Sequence, residues 1–180
     1  MDYYRLKIRS CTLVNTWVAL MLAASCAESF AAVPIYEDPQ AGPTAIVHLI
    51  NRAKTLHILR VAFRDSYRCA NPTTLTTMDS GDNKISKVAA DTPFTFRTSY
   101  FSLGVGVSNV FCAVTLTFVP KQGNEYFVES SASEKVCNVQ ILEALPGGGM
   151  SRVTAVTERA PRMPFFARSG FCEPNELFKN

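Results

Sequence analysis

At 180 residues, with 18 basic against 15 acidic side chains, the chain carries a formal charge of +3, far from the dense positive surface that nucleic-acid binding needs. A composition that is 47% hydrophobic and only 18% charged excludes a disordered chain and leaves an ordinary core-forming one.

The first residues, MDYYRLKIRSCTLVNTWVALMLAASCAESFAAVP, join a basic start (Arg5, Lys7, Arg9) to an apolar stretch from Cys11 to Ala24 and then to small residues. That order is a secretory signal peptide over 1–31, with Ser29 and Ala31 as the small residues that place the cut after Ala31. Asn15 and Thr16 interrupt the apolar run, which falls short of the roughly 20 residues that cross a bilayer, so no transmembrane segment is expected in the mature form. Cys26 in LAASC is a minor alternative as a lipoprotein cysteine, but Leu22 stands four residues before it, where that pattern has Leu at three. The expected location is secreted or periplasmic, with roughly 150 residues left for one domain and a formal charge of about +2.

Losing Cys11 and Cys26 with the leader leaves Cys69, Cys112, Cys137 and Cys172, an even count that reads as disulfides in an exported chain and allows three pairings. No C-x-x-C pair occurs, and His48 and His57 are remote from every cysteine in sequence, so neither a metal nor another cofactor is expected. The sole N-glycosylation candidate, Asn71, is blocked by Pro72.

Along the chain, apolar residues alternate with period two and no stretch holds helical spacing for three turns. TAIVHLI (Thr44 to Ile50) and LHILRVAF (Leu56 to Phe63), separated by NRAKT, read as a hairpin, with His57, Leu59, Val61 and Phe63 facing the core and Ile58, Arg60, Ala62 and Arg64 facing out. Polar residues from Asp65 to Lys84 read as a long loop anchored by Cys69. Ile85 and Val88 lead to a turn at Asp91-Thr92-Pro93, after which Phe94, Phe96 and Thr98 point inward, and LGVGVSN (Leu103 to Asn109) connects onward. Val110, Cys112, Val114, Leu116 and Phe118 share one side of the next strand; Pro120 and Gly123 then reverse the chain into EYFVES (Glu125 to Ser130). In KVCNVQILE, Cys137, Val139 and Ile141 share a face.

Cys112 and Cys137 therefore both point inward on core strands, and a bond between them closes about 24 residues and stabilises the fold by about 3 kcal/mol on the chain-entropy argument. Elimination then pairs Cys69 with Cys172, fastening the loop to the C-terminal tail. After PGGG (Pro146 to Gly149), Met150 to Arg159 can supply an edge strand, and Pro161 and Pro164 disfavour a central strand beyond it. The expected fold is all-β: one antiparallel β-sandwich, immunoglobulin-like or similar, of about seven or eight strands. The expected boundaries are a signal peptide at 1–31, an extension at 32–43, the sandwich at 44–172 and a tail at 173–180.

Several short motifs recur in this order: an early pair of strands before Cys69, V-A-A-D-T-P-F-T-F (Val88 to Phe96), C-x5-F-x-P-x-x-G-x-x-Y (Cys112, Phe118, Pro120, Gly123, Tyr126), C-x-V-x-I (Cys137, Val139, Ile141) and a late Cys172. In this the chain resembles a group of small exported proteins of Gram-negative bacteria whose activity is uncharacterised. The resemblance implies a secreted sandwich-like domain and carries over no catalytic residue.

No chemistry stands out in the residues themselves. His48 and His57 could meet across the expected hairpin, yet they lack a third ligand or a carboxylate pair at useful spacing, and no G-x-S-x-G elbow occurs. Arg52, Lys54, Arg60, Arg64 and Arg68, with Asp65 among them, give that hairpin a mildly basic outer face that either protects a sheet edge or docks on another envelope protein or an anionic envelope component. Tyr100, Phe101, Tyr126, Phe127, Phe165, Phe166 and Phe171 are either core or an aromatic patch. The expected role is a non-enzymatic binding or structural module; the alternative is a small secreted hydrolase built from dispersed residues.

Overall fold

Period-two patterning becomes ten strands in a computed structural model that describes residues 33–104, 107–133, 136–162 and 170–179. They are β1 (Thr44–Asn51), β2 (His57–Asp65), β3 (Ala70–Met78), β4 (Asn83–Ala89), β5 (Phe94–Gly104), β6 (Val107–Phe118), β7 (Glu125–Ser133), β8 (Val136–Ala144), β9 (Met150–Arg152) and β10 (Thr157–Glu158). Two five-stranded sheets result, in the orders β4-β1-β7-β8-β9 and β10-β6-β5-β2-β3. The fold is the expected all-β sandwich. It has more strands than foreseen, and β1 runs parallel to β7, from Ile46 opposite Glu125 to Asn51 opposite Ser130. The segment read as a signal peptide, with Cys26, lies outside the described residues.

The expected hairpin of the first two strands does not form: β1 belongs to one sheet and β2 to the other. What turns the chain across is Asn51, which is fully buried. Its side-chain amide donates to Leu56 O (3.0 Å) and Asp79 O (2.9 Å), and its side-chain oxygen accepts from Ala53 N (2.9 Å). Its backbone N–H donates to Asp82 O, and its carbonyl accepts from Gly81 N. One residue thus fastens both the β1–β2 and the β3–β4 crossings. At the opposite end Pro120 and Gly123 do turn the chain, but across to the second sheet rather than back along the first. Asp91 N donates to Pro120 O, Gly123 N to Thr44 O, and the buried Tyr126 hydroxyl accepts from Lys121 N at 2.9 Å.

Between the sheets lie Val47, Leu49, Ile58, Phe96, Tyr100, Phe118, Val128 and Ile141. The faces of β2 are the reverse of those expected, for Ile58, Arg60 and Ala62 are buried and point inward. Register with β5, which sets Ile58 opposite Tyr100 and Ala62 opposite Phe96, fixes this choice. The alternation misleads because the outer face is also covered. Phe63 packs there with the Cys69–Cys172 disulfide and, less deeply, with Val61 and Phe171. Residues 65–84 are likewise no loop: β3 and β4 occupy most of them. Threonine-rich β3 is an edge strand, the position that tolerates Pro72. Of the expected connection Leu103–Asn109, residues 103–104 end β5 and residues 107–109 begin β6, which pair as far as Gly104 and Val107, while 105–106 lie outside the described residues. Met150–Arg159 supplies two short edges, β9 on one sheet and β10 on the other.

The C-terminal segment forms a third layer. Arg159, buried, donates to Ser66 O (2.6 Å), Tyr67 O (2.8 Å) and Glu173 O (2.8 Å), and its guanidinium lies 5.2 Å from the Phe178 ring centre. Gly170 is required where the segment meets the β2–β3 turn, since a Cβ there would fall 2.3 Å from Arg68 O. The sheets are themselves joined by Cys112–Cys137, from β6 to β8, with Cα atoms 6.4 Å apart.

Arg60 is the anomaly of the core. From β2 it reaches across to the other sheet, donating to Ile50 O (3.2 Å), Val128 O (3.1 Å) and Ser130 Oγ (2.6 Å), while its Nε and Nη1 have no hydrogen-bond partner. Burial pushes the guanidinium down to about 10, so it stays protonated at neutral pH. We predict that Arg60→Ala, which removes three cross-sheet bonds and opens a cavity, costs about 3–5 kcal/mol. Arg60→Met, which fills the space without a buried charge, should cost less than half of that in denaturant titrations.

Tyr36 closes the flank between β3 and β4, its N–H donating to Thr74 O and its hydroxyl to Lys87 O. Burial, and secondarily Asp38, push its phenol up to about 12 from the ordinary 10. Its stabilising contribution is complete below pH 10 and is lost as pH rises toward 12, because the unfolded chain releases this proton first. The destabilisation by Tyr36→Phe should therefore be smaller at about pH 11.5 than at about pH 8; an equal penalty at both would rule out this coupling.

Candidate functional site

The two histidines do not meet, because their strands are in different sheets. His48 on β1 stacks on Phe127 with ring centres 4.5 Å apart and is hydrogen-bonded to Glu125. His57 on β2 stacks on Phe101 at 5.6 Å, and its Nδ1 is 2.6 Å from Asp79 Oδ1. Each imidazole thus has a carboxylate and an aromatic face, but among the described residues neither is hydrogen-bonded to a serine, threonine or thiol that could act as a nucleophile. No group of three or more metal-ligating side chains occurs among the described residues.

The five basic residues are dispersed too. Arg60 is buried between the sheets, contrary to its expected place on an outer face, because main-chain carbonyls of the opposite sheet receive it. Arg52 donates to Glu129 Oε1 at 3.0 Å on the neighbouring strand of the same sheet and, with Gln140, holds that carboxyl below the usual carboxylate range. Lys54 is exposed in the β1–β2 crossing, Arg64 is exposed near the end of β2, and Arg68 lies over the Tyr67 ring at 5.4 Å. They do not form one basic face. Of the aromatic set, Tyr100 and Tyr126 are core and Phe171 packs under the C-terminal layer, while Phe165 and Phe166 lie outside the described residues.

The feature that sequence reasoning missed is a groove. On the flank away from Tyr36, the edge of β6 faces the edge of β8, and a cavity of about 480 Å³ opens between them. Its lining is mixed: Val114 and Leu116 on β6, Val139 and Ile141 on β8, and Val153 and Val156 on the chain that crosses between the sheets are apolar, while Asn138, Gln140 and Thr154 are polar. Arg152 and Glu158 also line it, both exposed and neither in an ion pair among the described residues. Cys137 lines it as well, so the Cys112–Cys137 bond clamps the two facing edges. On the other side of the crossing, a second cavity of about 510 Å³ is lined by Val119, Leu177 and Phe178 and shares Val153, Thr154 and Val156 with the first. A volume of this size, combining apolar side chains with polar groups, is within the range of small-molecule and peptide sites.

The sequence signals for this groove were separate: inward residues on two strands, a cysteine on each, and a valine-containing segment after PGGG. Only the sheet order brings them together. Among the described residues, no helix is long and apolar enough to cross a membrane. In comparisons with known proteins, no family model and no curated protein matches the chain.

Proposed function

We propose that the protein is an exported, non-enzymatic binding module and that its site is the groove between the edges of β6 and β8. The observation that carries this reading is a cleft of mixed apolar and polar lining, its walls bridged by a disulfide, with two charges of opposite sign that are in no ion pair among the described residues. Two disulfides in so small a chain suit an oxidising compartment, in agreement with the leader-like first 31 residues and with the resemblance to small exported Gram-negative proteins. The partner class in best accord with this is another protein of the envelope.

Placing a photocrosslinking amino acid at Thr154, exposed in the groove, and separately at Ile85, 63% exposed on the far edge strand β4, tests the proposal in intact cells of a Gram-negative host. The expected outcome is a discrete adduct from position 154 in the periplasm or medium and none from position 85. Equal labelling at both positions, retention in the cytoplasm, or a hydrolytic activity abolished by His57→Ala would contradict it.

A further inference from the structure

The groove is bounded by backbone as well as by side chains. β9 pairs with β8 only from Leu142 to Ala144, and the pairing is prolonged by one bond, Val153 N donating to Ile141 O. Beyond it the crossing chain leaves for the other sheet. Since alternate residues of a strand direct both N–H and C=O to the same side, Val139 and Cys137 present their backbone groups to the groove as Ile141 does. Among the described residues nothing pairs with them.

Two occupants fit the apolar part of the lining, an acyl chain or an extended peptide. Backbone groups decide between them. An acyl chain would cover the N–H and C=O groups of Val139 and Cys137 without bonding them, which is costly for buried backbone. A peptide strand would bond them. Its alternate side chains would face the inner wall of Val114, Leu116 and Val156, in the spacing by which added strands are read. The charges add polarity, because a strand running antiparallel to β8 in line with β9 begins beside Arg152. An acidic residue at its leading end meets that guanidinium.

We infer that the groove takes an extended segment of a partner protein, added as a strand to the open edge of β8 over Cys137–Val139, with apolar residues at alternate positions and an acidic residue at its N-terminal end. This rests on the groove being the binding site.

The probe is acetyl-Asp-Val-Thr-Val-Thr-amide, compared with the same peptide N-methylated on alternate amides and with lauric acid, each added to the oxidised protein at about 1 mM. Amide hydrogen exchange is the readout. The unmethylated peptide should slow exchange at Val139 and Cys137 by about tenfold or more, and the methylated one, with the same side chains, should not. Arg152→Glu should weaken the effect. Equal protection by both peptides, protection at other strands, or none at all overturns strand addition. If lauric acid alone shifts resonances of Val114, Val139 and Val156, the groove binds but not by strand addition. If no probe does so, the binding reading falls with it.

Discussion

The constraint on which this fold rests is the buried Asn51. A chain that builds two sheets by leaving one for the other repeatedly must take its polar backbone across the core boundary at every crossing, and each unpaired group there is costly. Asn51 satisfies two such crossings at once. Its side chain binds main-chain groups of residues 53, 56 and 79, and its own backbone binds 81 and 82. Neither serine nor aspartate could replace it, because the site needs two donors and an acceptor from one planar group.

Two buried arginines extend the same logic. Arg60 joins the sheets through carbonyls of β1 and β7, and Arg159 joins the C-terminal layer to the sandwich through carbonyls of Ser66, Tyr67 and Glu173. Among the described residues no carboxylate is hydrogen-bonded to either guanidinium; main-chain carbonyl dipoles face both charges. Together with the disulfides, one between the sheets and one between the β2–β3 turn and the C-terminal segment, they give a small domain cross-links in each of its layers. The flank where β6 faces β8 is bridged by Cys112–Cys137 yet still leaves a groove between the two strand edges.

How much of this could be read from the sequence depends on whether a strand is buried on one face or two. β6 and β8 were legible because Leu116, Phe118 and Ile141 alternate with polar residues, and the two cysteines in phase with them mark facing edges. β2 was misread because Val61 and Phe63 serve a second core under the C-terminal layer, leaving the inner face to Ile58, Arg60 and Ala62. β3 was hidden by Asn71 and Pro72, although its run of threonines was a strand signal. The β1–β2 hairpin was a reasonable inference from NRAKT, but local periodicity says nothing of which sheet a strand joins. The groove was not legible at all, being a property of sheet order.

The proposed function rests on the same asymmetry. One flank is closed by Tyr36 and its neighbours, while the other exposes a groove of mixed lining, two charges in no ion pair among the described residues, and an open strand edge. The urea unfolding midpoint of the oxidised Asn51→Leu variant tests the central claim most directly. Loss of three side-chain bonds at two crossings predicts a stability lower by about 3 kcal/mol, with the slope of the transition unchanged. A midpoint within error of the parent protein would mean that the crossings are held by something other than this residue.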